Sequence, residues 1–189
     1  YMPGYMVYWP KDRVEEIKRA GDVGPIKVVL GSIHLRMPTI VSIKEGDVVF
    51  PVTLIDKHLY IMARLPVEHR EGAYDYLVRE LGNQCSALVP DGVDWDLYYQ
   101  TPFKPYLEHQ RPFNCCSEWA VWGEQGSSIE PRQLPDELLS ELRFGYPKSK
   151  EKGLRFDKNG NIPSSCLCST RRLSSETFEI FEALFKDRQ

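Results

Sequence analysis

The 189 residues (21.9 kDa) suffice for one domain, or for two small ones packed together, and are too few for a multidomain machine. Hydrophobic residues at 42% and charged residues at 27% describe a chain that folds around its own core and exclude disordered, collagen-like and small disulfide-scaffold classes. Lys and Arg number 24 against 27 Asp and Glu, so a net charge of -3 supplies no overall basic field for nucleic acid, and any such role must use a local patch.

No apolar run approaches the roughly 18 residues that span a bilayer; the stretch 48–55 is interrupted by Pro51 and Thr53. No charged-then-apolar leader is visible at the amino end, and whether one was removed before Tyr1 stays open. Five cysteines, an odd number, with Cys115 next to Cys116 and Cys166 two residues from Cys168, fit reduced thiols and a cytoplasmic protein better than a paired secreted framework. Charge is uneven along the chain. Residues 1–74 carry +1, 75–140 carry -7 and 141–189 carry +3, so the middle block is acidic and the tail mildly basic.

Residues 5–9, β-branched and aromatic and ended by Pro10, predict a first strand. A helix follows, with Asp12 as its cap, Glu15 completing a capping box and Gly21 as its stop. A short strand is expected at 26–30, and 39–43 is expected to pair with it. Lys44, Glu45, Gly46 and Asp47 supply turn chemistry. Strands at 48–55 and 59–67 are joined across Asp56, Lys57 and His58, and a helix opening at Glu71 or Gly72 stops at Gly82.

From 83 to 114 periodicity disappears, and four prolines punctuate a segment that keeps six large rings. An ordered, irregular excursion over the core or a binding surface is the expectation. A strand at 118–122 and a helix opening at Pro135, Asp136 and Glu137 come next. Residues 154–156 are expected to enter a hairpin turn containing Asn159-Gly160. Ser174 caps a last helix over 175–186, with Phe178, Phe181, Leu184 and Phe185 on one stripe.

Phosphate-cradling glycine loops and the serine elbow of hydrolases are missing, and Gly123 to Gly126 reads as a plain turn. A thiol and imidazole pair could come from the five cysteines and from His34, His58, His69 or His109, but nothing linear brings two of them together. Gaps of none and one between the cysteines are awkward for one tetrahedral zinc, so these thiols read as small buried hydrophobes and no metal or cofactor is expected. Asp94 and Asp96 read as turn-forming acids rather than a catalytic carboxylate pair. The remaining chemistry is basic and aromatic. His34 and Arg36 lie between strands, Arg64 within 59–67, and Arg171 and Arg172 before the last helix; if these converge, guanidinium forks would hold phosphates while Trp9, Trp119 or Trp122 stacks on a base.

The order in 5–68 is strand, short helix, strand, arginine-bearing segment, the turn Lys44-Glu45-Gly46-Asp47 leading into Val48, Val49 and Phe50, and a strand pair ending Ala63-Arg64-Leu65-Pro66-Val67. This third of the chain resembles PUA-like small β-barrels, particularly the ASCH and EVE branches. The resemblance implies a pseudobarrel with a cleft for RNA or a modified base, without catalysis. The expected fold is therefore α+β: a PUA-like barrel in 1–82 with a mixed half, 83–189, packed on it as one compact unit. The leading functional reading is a recognition protein for nucleic acid or a nucleotide-like ligand, through Arg36, Arg64, Trp119, Trp122, Arg171 and Arg172. The alternative is an immunity-type or inhibitory protein that meets a basic partner through Asp94, Trp95, Asp96, Tyr98 and Tyr99 of the acidic block. An enzyme of unrecognised type is the third. A membrane role is not expected.

Overall fold

The computed structural model describes residues 3–32, 39–82, 87–89, 92–100, 107–112 and 117–186. In chain order the elements are β1 (Gly4–Tyr8), α1 (Lys11–Arg19), β2 (Val28–Gly31), β3 (Val48–Ile55), β4 (His58–Ile61), β5 (Leu65–Pro66), β6 (His69–Gly72), α2 (Ala73–Leu81), β7 (Leu88–Val89), β8 (Gly92–Val93), α3 (Trp95–Gln100), β9 (Trp119–Trp122), β10 (Arg132–Gln133), β11 (Arg171–Arg172) and α4 (Ser175–Lys186). The protein is α+β. Its described strands form a six-stranded sheet ordered β10-β4-β3-β1-β11 with β5 also on β3, a three-stranded sheet ordered β2-β9-β6, and the pair β7-β8. Among the described residues no helix is long and apolar enough to cross a membrane.

The large sheet separates two cores because strand side chains alternate between faces. Met6, Val48, Phe50 and Val52 point to one face, where Leu134, Leu142, Leu167 and Phe181 cover them. Tyr5, Val7 and Val49 point to the other, against Ile17 of α1 and Val29 and Val121 of the small sheet. On the far side of the small sheet, Val28 and Ala120 meet Tyr76 and Leu77 of α2. Each core draws residues from before and after position 83.

Pro51 sits in the middle of β3, where a proline ordinarily breaks a ladder. Its carbonyl accepts from Met62 N (2.8 Å), but it has no N–H to return to the Met62 carbonyl. The partner strand splits there into β4 and β5, and the Met62 carbonyl accepts instead from Glu130 N (3.0 Å) and Arg132 Nη1 (3.0 Å). Arg132 also donates to the carbonyls of Ser128 and Glu130, and its buried guanidinium lies 4.3 Å from the Phe185 ring. Arg132→Met is expected to cost about 2 kcal/mol in urea denaturation, because the carbonyls of Met62, Ser128 and Glu130 lose the one side chain that donates to all three. An unchanged midpoint would show that the guanidinium is dispensable there.

Several local expectations are corrected. Pro10, with φ -59° and ψ 156°, is the N-cap of α1, so Asp12 lies inside the first turn and caps nothing. Residues 39–43 form a turn rather than a strand; only a bridge joins Thr39 to Ser32. The helix expected after Pro135 is a 3-10 turn, Asp136–Glu141, held by bonds such as Leu138 N to Pro135 O (2.9 Å). Leu139 and Leu142, three apart, both reach the core, which suits three residues per turn. No strand forms at 154–156. Asp157 closes the turn, its Oδ1 accepting from Asn159 N (2.8 Å) and Asn161 N (3.0 Å) and its backbone N donating to Asn161 O (2.8 Å), and Pro163 soon removes a donor a returning strand would need.

The last helix matches its sequence pattern. Thr177 N donates to Ser174 Oγ (3.1 Å), and Phe178, Phe181 and Phe185 surround Phe50 with ring centroids 5.4–5.9 Å away.

Candidate functional site

β11 pairs with β1 only at Tyr5 and Met6, so β1 runs on past its neighbour. β2 pairs with β9 alone. Between these two incomplete edges lies a cavity of about 410 Å³, lined by Tyr8, Trp9, the length of β2, Ile40 and the segment containing Ser164, Cys168 and Thr170.

Main-chain polarity follows from the ladder. Gly123 N donates to Lys27 O (3.1 Å) and Glu118 N to Gly31 O (3.0 Å), so alternation turns the amide and carbonyl of Val28 and Leu30 away from β9 and toward the cavity. The Thr170 hydroxyl, on the opposite wall, is buried without a hydrogen-bond partner among the described residues. Burial, and then the nearby Cys168 thiol, push the Tyr8 phenol above its ordinary value, so at neutral pH it keeps its proton. Cys168 is an exposed free thiol whose Sγ lies 3.4 Å from Ser164 O. The site thus offers two rings, a strand edge with donors and acceptors, and a hydroxyl with unmet bonding capacity.

His109 also lies in the wall and is fully committed. Its Nδ1 lies 2.8 Å from Asp22 Oδ2 and its Nε2 accepts from Lys27 N (3.0 Å), which fixes a neutral imidazole protonated at Nδ1. Arg13 Nη2 donates to the His109 carbonyl (2.7 Å). With its basic lone pair on a backbone amide, His109 serves as a buried strut for the cavity wall rather than as a general base. Among the described residues no group of three His, Cys, Asp or Glu side chains gathers for a metal; Cys85, Cys115 and Cys116 lie outside them.

The residues singled out from the sequence are dispersed. Arg36, like His34, lies outside the described residues. Arg64 sits in the link between β4 and β5 rather than on a strand, its Nε bonded to Glu182 Oε1 of α4 (2.7 Å), beside a separate hollow of about 300 Å³ shared with Ser127, Ser128 and Arg132. Trp119 and Trp122, three apart on β9, point to opposite faces of the small sheet and cannot form one stacking platform. Trp119 carries the Arg70 guanidinium at 5.5 Å; Trp122 contacts the rings of His69 (4.4 Å) and Tyr76 (5.8 Å) and the Arg79 guanidinium (4.9 Å). Arg171 and Arg172 are together on β11. Arg171 bonds the Cys166 carbonyl and so props the segment that walls the cavity, whereas Arg172 lies 4.1 Å over the Tyr146 ring.

Asp94 caps α3, accepting from Leu97 N (3.1 Å), and Asp96 is exposed in its first turn. The backbone of Trp95, Tyr98 and Tyr99 belongs to α3, and their side chains lie outside the described residues. Sequence reasoning missed Tyr8, Thr170 and the edge of β2. Strand edges leave no residue-type signature, and nothing local to Thr170 records that its hydroxyl has no partner among the described residues. No family model matches this chain, and no curated protein sequence matches it.

Proposed function

We propose that this chain is a non-catalytic recognition protein that binds a nucleobase or nucleotide-like ligand in the cavity between β1 and β2, within a PUA-like arrangement of its two sheets. The observation that carries the reading is the pairing of a free strand edge at Val28 and Leu30 with the unpartnered Thr170 hydroxyl across a cavity of about 410 Å³. Pockets of roughly 300–1,000 Å³ suit small ligands. The Watson–Crick edge of a base carries donors and acceptors side by side, as a strand edge does, and Tyr8 and Trp9 add apolar surface to the cavity lining. A buried hydroxyl without a partner costs about 1–3 kcal/mol, and a ligand group that bonds to Thr170 relieves that cost.

Calorimetric titration with nucleosides and mononucleotides, unmodified and base-methylated, tests this. At least one is expected to bind, and Thr170→Val is expected to weaken it by about tenfold, the loss of one buried hydrogen bond. Equal affinity of Thr170→Val, or no binding of any of them at millimolar concentration, would remove the reading.

A further inference from the structure

Residues 143–172 hold eight Lys and Arg against two acids, Glu151 and Asp157, so this stretch of 30 residues carries +6 in a chain whose net charge is -3. The fold gathers part of it into one ledge. Phe144 is bridged to both Lys152 and Leu173, and Gly145 N donates to Arg172 O (2.8 Å), which pins the loop bearing Lys148 and Lys150 beside β11. Among the described residues, Lys148, Lys150, Lys152, Arg155, Lys158 and Arg172 form no ion pair, whereas Arg64, Arg79, Arg111 and Arg132 each have a carboxylate partner. Two acids act on this side electrostatically without an ion pair, Glu176 on Lys148 and Asp47 on Arg172.

Rings are the second, independent observation. Among the described residues the exposed Phe, Tyr and Trp side chains are Tyr146 (65%) and Phe156 (41%), and both belong to this basic stretch. A folded chain gains nothing by leaving two rings in water next to unpaired cations. Single-stranded nucleic acid is the partner that uses both, because cations track its phosphates while rings stack on its unpaired bases. Tyr146 is held ready for that role by the Arg172 guanidinium on it at 4.1 Å.

We infer that the ledge formed by Tyr146, Lys148, Lys150 and Arg172, with the exposed Phe156 further along the same stretch, binds the sugar–phosphate backbone and bases of a single-stranded nucleic acid. The inference rests on the proposed function for one point: Ser164, Cys168 and Thr170 of the same stretch line the cavity, so one base of the bound strand would enter it.

The test is fluorescence anisotropy of a labelled 12-nucleotide single strand, with a duplex of equal length and heparin, a polyanion without bases, as competitors. The single strand is expected to bind in preference to the duplex. The Lys148→Glu/Lys150→Glu double variant is expected to lose at least tenfold in affinity and to show a salt slope shallower by about 1–1.5. Tyr146→Ala and Phe156→Ala are expected to weaken binding severalfold with the slope unchanged, the mark of lost stacking rather than lost charge. All four side chains are exposed, so the variants should fold, and circular dichroism checks this. Wild-type affinity in these variants, or displacement by heparin together with no effect of the ring substitutions, would overturn the inference in favour of bare charge. Mononucleotide titration separates the two proposals. If the ledge variants bind mononucleotides normally but lose the oligonucleotide, both stand; oligonucleotide binding that depends on the ledge while no mononucleotide binds would leave the ledge and remove the cavity reading.

Discussion

Asp22→Ala is expected to cost roughly 3–5 kcal/mol of stability, because it strands polar groups that have no other partner among the described residues. The Asp22 carboxylate accepts from His109 N (2.8 Å) and Gly24 N (3.0 Å) and holds His109 Nδ1 at 2.8 Å, with both side chains almost wholly out of water. These bonds tie the end of α1 to a segment 87 residues away and fix one wall of the cavity. Burial alone would raise the Asp22 carboxyl, but the hydrogen bonds from His109 and from Gly24 N outweigh it and leave the carboxyl below its ordinary value. Burial, partly offset by Asp22, holds the His109 imidazole below its ordinary value of 6.5.

Both shifts act in the same direction on pH. Below pH 6.5 the unfolded chain protonates this histidine while the folded chain keeps it neutral, so stability falls as the solution is acidified. The Asp22 contribution is present above 3.8 and is lost as pH falls through its lower folded value. Urea denaturation between pH 7.5 and 5 should therefore show falling stability in the wild type and a flatter dependence in His109→Gln. Parallel slopes in the two proteins would mean that His109 is already charged in the folded state.

Phe181→Ala is the second large effect, expected at about 3–5 kcal/mol by the same measurement. Phe181 is fully buried, and its ring meets Phe50 edge-on at 5.4 Å in the centre of the core under α4. Removing it opens a cavity between helix and sheet that neighbouring Phe178 and Phe185, both committed to the same Phe50 ring, are poorly placed to fill. Glu179→Ala on the exposed face of α4 is the control and should stay within about 0.5 kcal/mol. A Phe181→Ala protein as stable as this control would mean that α4 is not docked as described.

Elements governed by local chemistry were legible in the sequence. The stripe of α4 with its Ser174 cap, the strands β1 and β3, the turn at Gly46 (φ 93°) with Asp47 Oδ2 accepting from Lys44 N (2.8 Å), and the stop of α2 at Gly82 each depend on residues within a few positions of one another. The errors arose where the decisive partner is distant. The continuously β-rich run 59–67 predicts one long strand carrying Arg64, but Pro51 on the neighbouring strand forces the break between β4 and β5. Trp119 and Trp122 are both candidates for a stacking ring in the sequence, yet a spacing of three on a strand places them on opposite faces. Over 141–189 the charge sums to only +3, because the acids of α4 offset the cations of 143–172.

By itself the sequence determined an α+β chain with a strand-rich first part, a buried-faced last helix and no overall positive charge, because composition and hydrophobic period act through neighbours along the chain. Only the tertiary structure decided where strand pairing stops short, which edges of β1 and β2 face a cavity, that the Thr170 hydroxyl finds no partner among the described residues, and that His109 is locked as a neutral strut. Those outcomes are set by which distant groups fill or fail to fill each hydrogen bond, and no local pattern of residues records that.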